Sequence, residues 1–247
     1  MEGSMTTEQL ESRSAQRRTP QGGPPLIIPG LVFAVFTVLS AVLGAAGPRI
    51  TSSAADVAAY YTGHHTTAML WGTIVFASSI PLMIWTATVY RRLRQLGITA
   101  PGIAMSLSGG LLASAALAVS GLSIWTAAQP VIAAQPGLAA ALNGLSFATG
   151  GAGFVVPLAL LVAGVCVPAL FTKLLPRPVA WFGLVVAALS ALATLSLLIT
   201  PLNALLPVGR FGGGVIWLLA ASVLLPRKRR RGDTAAQGRP VAVHSTV

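Results

Sequence analysis

The chain reads as an all-α integral membrane protein, a six-helix bundle with both termini in the cytoplasm. Three observations predict this. Hydrophobic residues make up 54% of the sequence and charged residues 9%, against about 25% charged in soluble domains. The apolar residues fall in non-alternating runs of about twenty, the length a helix needs to cross a hydrocarbon core, whereas spanning strands alternate and are about half as long. Fourteen of the sixteen Lys and Arg lie on one side of the topology those runs define, the bias that marks cytoplasmic loops.

Residues 1–25 are polar and end in Gly22, Gly23, Pro24 and Pro25, which predicts a disordered cytoplasmic segment. The Gly3-Ser4 pair suggests that residues 1–4 are an addition ahead of a start at Met5. The transmembrane domain covers 26–226, with spans at about 27–46, 67–89, 102–126, 142–170, 179–200 and 208–225. The first span ends in Gly44, Ala45 and Ala46, which resemble a signal-peptidase site. Its length, and the Arg49 and Ile50 that follow directly, argue that it is retained. In the link to the second span, Ser53 and Asp56 form a weak capping box, and Ala54, Val57, Ala58, Tyr61 and His65 recur on one face. This predicts a short amphipathic helix on the outer membrane surface. The uncharged link after span three holds Pro130 and Pro136, and Pro136 suits the first turn of a helix that continues into span four. Span four exceeds what a bilayer requires, and Pro157 near its middle predicts a kink or tilt. The sixth span has the weakest helical signal because of Gly212, Gly213 and Gly214. No span contains Asp, Glu, Lys or Arg, except that Arg210 stands at the outer edge of the last. The cytoplasmic links are too short to fold as domains, and residues 227–247 form a basic tail.

The formal charge of +11 is compatible with nucleic-acid binding. However, Arg227, Lys228, Arg229, Arg230 and Arg231 follow a span directly, so the expected partner is anionic lipid and not nucleic acid. Tyr60, Tyr61, Trp71 and Trp125 are placed toward the outer interface and Tyr90 and Trp181 toward the inner one, while Trp85 and Trp217 fall within the core. Small residues recur along span three as Ser106, Gly110, Ser114 and Ala118, and beside them Gly109, Ala113 and Gly121, which puts that helix at the centre of the bundle. The same rows could serve a homodimer, but six helices need many internal contacts. Cys166 is alone inside a span, so it forms no internal disulfide.

The chemistry the sequence offers is thin. No ionisable residue sits well inside a span, which argues against a proton-coupled pump. No Gly-x-Ser-x-Gly elbow is present, and no pair of spans offers a His each for a haem. No enzyme activity, metal or cofactor is expected. Two polar groupings remain. Asp56, Tyr60, His64 and His65 form a candidate outer-surface site. The adjacent histidines point about 100° apart on a helix, which suits a polar rim better than a metal shell, and the Tyr60–His64 and Tyr61–His65 spacings suit stacking or hydrogen bonding. Asn143, Ser146, Thr149, Gly150 and Gly151 in span four, facing Ser78 and Ser79 before Pro81 in span two, outline a small, weakly polar candidate pocket between spans two, three and four. An unwound glycine segment at membrane depth usually borders a cavity, while close helix packing bridged by hydroxyls is the plainer reading of the same residues, and the one they favour.

At Leu175, Pro176, Arg177, Pro178, Val179, Ala180, Trp181, Phe182, Gly183 and Leu184, a Leu-Pro-Arg precedes a Trp and a Gly at the start of a span. With the last span from Ile216 to Leu225, its basic tail, and Tyr60 and Tyr61 before span two, this resembles the bacterial membrane family catalogued as domain of unknown function 4386. The resemblance implies a multi-span protein of the bacterial plasma membrane and implies no activity or site residues. The Ala-, Gly- and Arg-rich composition, with only two Lys, points to a GC-rich bacterial genome. The expected role is non-enzymatic: binding or scaffolding lipid or another membrane protein. The alternative is a permease-like carrier of a small neutral or apolar solute through the pocket.

Overall fold

The computed structural model describes residues 25–226, and all regular structure among them is helical. The expectations for the leader up to residue 24 and for the basic tail from residue 227 lie outside the described residues. In chain order the helices are α1 (Ile27–Leu43), α2 (Ala54–Gly63), α3 (His65–Gln95), α4 (Pro101–Ala127), α5 (Pro130–Ala133), α6 (Pro136–Gly150), α7 (Ala152–Phe171) and α8 (Arg177–Leu192). Two 3₁₀ segments, Ala193–Leu197 and Thr200–Leu205, lead into a π-helical stretch, Val208–Trp217, and α9 (Leu218–Leu224). Five stretches are long and apolar enough to cross a membrane: His65–Gln95, Pro101–Ala127, Pro136–Phe171, Arg177–Leu197 and Pro201–Leu224. The first helix, α1, is apolar but only 17 residues long.

The bundle is organised as lipid chemistry requires. Large aliphatic side chains such as Leu31, Val35, Ile80, Leu112, Val185 and Leu198 are exposed, while Ser78, Ser106, Ser114, Ser120, Ser146 and Ser190 are buried. Burying a leucine away from lipid gains little, so the interior is selected for close approach and internal hydrogen bonds. Most of these serines return their hydroxyl proton to a carbonyl three or four residues back, as Ser106 does to Ile103 (2.8 Å) and Ser114 to Gly110 (2.8 Å).

Helix α4 is central, packing on α3, α6 and α7. Glycines set those contacts. A Cβ on Gly121 would lie 2.6 Å from the Gly72 carbonyl oxygen, and one on Gly72 would lie 2.7 Å from the Trp125 nitrogen. The two backbones therefore touch where α3 and α4 cross. On the other flank a Cβ on Gly109 would lie 2.6 Å from the Pro157 carbonyl oxygen of α7. The small-residue rows of span three are thus engaged within the chain. At the opposite side, α1 and α9 close against each other and against α3. Trp85 donates its indole proton to Ser222 Oγ (2.7 Å) and stands edge-on to Trp217 at 6.2 Å. Both tryptophans are fully buried in protein and do not face lipid.

Two local features bear on these expectations. The long fourth span carries Pro157 inside α7 and is not interrupted there. It breaks at Gly151, whose ψ of −108° leaves the helical region. Glycine costs a helix about 1 kcal/mol relative to alanine, and Gly150, Gly151 and Gly153 are concentrated at the break. Second, the amphipathic α2 does not rest its apolar face on lipid. Val57, Ala58 and Tyr61 are buried, and α2 packs on α6 and α5. Its Ser53 cap is present, with Oγ accepting from the Asp56 N–H at 3.2 Å and donating to Asp56 Oδ2 at 2.7 Å. Helix α2 leads directly into the second span. The chain turns at His64, and α3 starts afresh at His65.

Candidate ligand pocket

The break at Gly151 creates a problem of unpaired carbonyls. A helix end leaves its last C=O groups without intrahelical donors. The Phe147 carbonyl is met by the Gly151 N–H at 2.7 Å. The Gly150 carbonyl is met from 60 residues away, by Arg210 Nη2 at 2.6 Å. The guanidinium carbon also lies 5.7 Å from the centroid of the Phe154 ring, an arrangement that attracts a cation. Arg210 belongs to the π-helical stretch of the last span and is half-buried. It therefore turns into the bundle, whereas its position in the sequence suggested only the outer edge of a span.

Around this contact lies a cleft of about 350 Å³. Its polar wall is Ser120 of α4, Asn143, Ser146 and Gly150 of α6, and Arg210, with Arg49 exposed at the rim. Its apolar wall includes Trp71 of α3, Phe147, Val155 and Leu206. The polar wall is held by its own hydrogen bonds. Ser120 Oγ donates to the Ser146 carbonyl (2.9 Å), Ser146 Oγ donates to the Asn143 carbonyl (2.9 Å), and Tyr61 OH of α2 donates to Asn143 Oδ1 (3.1 Å). Burial first, and then the neighbouring Tyr60, push the Tyr61 phenol above the usual tyrosine range, which keeps it a proton donor.

Of the residues singled out for a pocket, Asn143, Ser146, Gly150 and Gly151 line this cleft. Ser78, Ser79 and Thr149 do not. Ser78 and Ser79 are turned to their own helix, donating to the Val75 and Phe76 carbonyls at 2.6 Å each, and Thr149 donates to the Leu145 carbonyl at 2.7 Å. The cleft also extends beyond spans two, three and four: the end of α1 at Ala41 and Gly44, and the last span at Leu206 and Arg210, supply the remaining walls. Arg210, Arg49, Ser120 and Trp71 were not foreseen as pocket residues. The available signal was Arg210 itself, a charge beside a span's first residue, which marks a functional position by default when it lies at membrane depth.

The outer-surface group is not assembled into one site. Tyr60 and His64 stack at 4.8 Å with planes 20° apart. His65 instead faces the Ala128 carbonyl, with Nδ1 2.7 Å from an oxygen that can only accept, so Nδ1 carries the proton in this contact. The expected Tyr61–His65 pairing does not form, because Tyr61 is committed to Asn143. Asp56 is occupied by the Ser53 cap. Among the described residues no three His, Cys, Asp or Glu side chains converge on a point where a metal ion could sit.

Comparison of the chain with protein-family models, with curated proteins and with solved structures finds no match in any of the three.

Proposed function

We propose that this chain is a non-enzymatic, six-span protein of the bacterial plasma membrane, with both ends cytoplasmic, that binds a small molecule in the cleft at the Gly151 break and acts as a carrier for it. The observation that carries this reading is the cleft itself. A scaffold would need only a filled bundle, whereas here an interruption of helix leaves about 350 Å³ open. Gly150 is the last residue of a 15-residue helix within a 36-residue stretch, which puts the opening near the middle of the longest span. Broken helices at such depth border cavities, because their freed backbone groups need polar neighbours.

The six-span reading counts α1 as a span. Its 17 residues give about 26 Å of rise, close to the shortest stretch that crosses a hydrocarbon core. Its face of Ile28, Leu31, Val35, Val38 and Val42 is exposed, as a lipid-facing helix requires. The cationic bias of the links then sets the ends inside and the cleft, with Arg49 at its rim, in the outer half. The tail from Arg227 to Arg231 supplies an anionic-lipid contact in the same scheme. The resemblance at Leu175–Leu184 supports the bacterial assignment.

The test is purification in mild detergent followed by mass spectrometry of the molecules retained. The wild-type protein is expected to carry a small molecule or lipid that Ala41→Trp, which fills the cleft from its wall, excludes. If the two proteins retain identical material, the cleft is not a binding site.

A further inference from the structure

Arg210 uses one of its five N–H groups on Gly150 and presents its face to Phe154; among the described residues no other partner meets it. Among the described residues the Arg49 side chain likewise has no hydrogen-bond or ion-pair partner, only its backbone N–H being engaged, with Ser52. The sole carboxylate among the described residues, Asp56, is held in the Ser53 cap. Among the described residues the cleft is therefore doubly cationic and has no counter-charge. A cation in a membrane-spanning segment is costly unless it is paired, and a carbonyl and a ring compensate it only partly. A helix C-cap alone would need no cavity beside it. Here the remaining guanidinium donors stand at a 350 Å³ opening whose other wall is apolar.

We infer that the cleft takes an amphipathic organic anion, a compact carboxylate or phosphate-type head on Arg210 with Arg49 at the mouth and an apolar portion against Trp71, Phe147 and Leu206. This rests on the cleft being a binding site, as proposed above, and replaces the neutral or apolar solute expected from the sequence with an anionic one. A planar guanidinium matches such a head with paired, charge-assisted hydrogen bonds. The head could belong to an anionic membrane lipid or to a soluble organic acid.

The test uses the full chain in phosphatidylcholine nanodiscs, with empty discs subtracted, and measures saturable binding of octanoate and of its neutral amide, octanamide. Octanoate is expected to bind at one site roughly tenfold or more tightly than octanamide, the scale of a charge-assisted contact. Arg210→Gln should remove that preference, and Arg210→Lys, which keeps the charge but not the fork, should leave part of it. The selectivity of the wild-type protein needs no variant, so a misfolded Arg210→Gln does not block the test. Equal binding of the two probes overturns the anion assignment while leaving the cleft as a site. Absence of saturable binding by either probe removes the cleft reading and the anion with it. Repeating the octanoate titration in discs containing phosphatidylglycerol separates the sources. Affinity that falls as phosphatidylglycerol rises identifies a lipid occupant, and unchanged affinity identifies a soluble one.

Discussion

Tyr61 links the outer helix to the pocket through a single hydroxyl. Its ring is fully buried, and its proton goes to Asn143 Oδ1. Tyr61→Phe keeps the packing but leaves that oxygen buried without its donor, which should cost about 1 kcal/mol or somewhat more. The phenol's pKa is raised in the folded state, chiefly by burial and further by Tyr60. The folded protein therefore holds this proton more tightly than the unfolded chain does. The resulting stability is complete below about pH 10, the ordinary tyrosine range, and is lost as the pH rises above it. Unfolding followed across alkaline pH should show a decline that is shallower in Tyr61→Phe. Identical slopes would show that Tyr61 is not the group responsible. Arg210 teaches a related lesson. Its residue type was visible, but its direction was set by a carbonyl 60 positions away that a glycine break had left unpaired.

The glycines of the helical elements are not equivalent. Gly121 lies where α3 and α4 touch backbone to backbone, and a methyl there has no room. Gly137 lies in the first turn of α6 with nothing within 4 Å of an added Cβ. Gly121→Ala should destabilise by about 1–3 kcal/mol, as overpacking does. Gly137→Ala should be neutral or stabilise by up to about 1 kcal/mol through helix propensity. Denaturation in mixed micelles compares them directly, and a neutral Gly121→Ala would contradict the close crossing of α3 and α4. Helix positions were legible because twenty-residue apolar runs have few other solutions in a bilayer. The place where the fourth span gives way was outlined too, at Gly150 and Gly151, with Pro157 as a rival position for a bend. Pro157 is a stronger helix breaker by propensity, but it is carried within α7, and Gly150, Gly151 and Gly153 just before it offered a cheaper place to yield.

For the whole molecule, orientation is the property with the widest consequences. The proposed orientation, with both ends inside, predicts that a reporter enzyme fused after Val247 is active only in the cytoplasm and that a cysteine placed at Gly137 reacts with an impermeant thiol reagent from outside. An exported reporter at Val247 would invert the scheme and turn the cleft toward the cytoplasm. The sequence alone determined the class of this protein and the approximate place of its helices, because hydropathy and helical length are local quantities that a bilayer reads directly. It also determined that α4 would be central, since small residues at helical spacing are useful only where backbones meet. The tertiary structure alone decided which polar groups face each other. Ser78, Ser79 and Thr149 satisfy their hydroxyls on their own helices and leave the pocket, while Trp71 of the same α3, Ser120 of α4 and Arg210 of the last span enter it. A hydroxyl can turn to its own backbone or to a neighbour at similar energy, so its choice depends on the packing of distant helices and is not written in the residues around it.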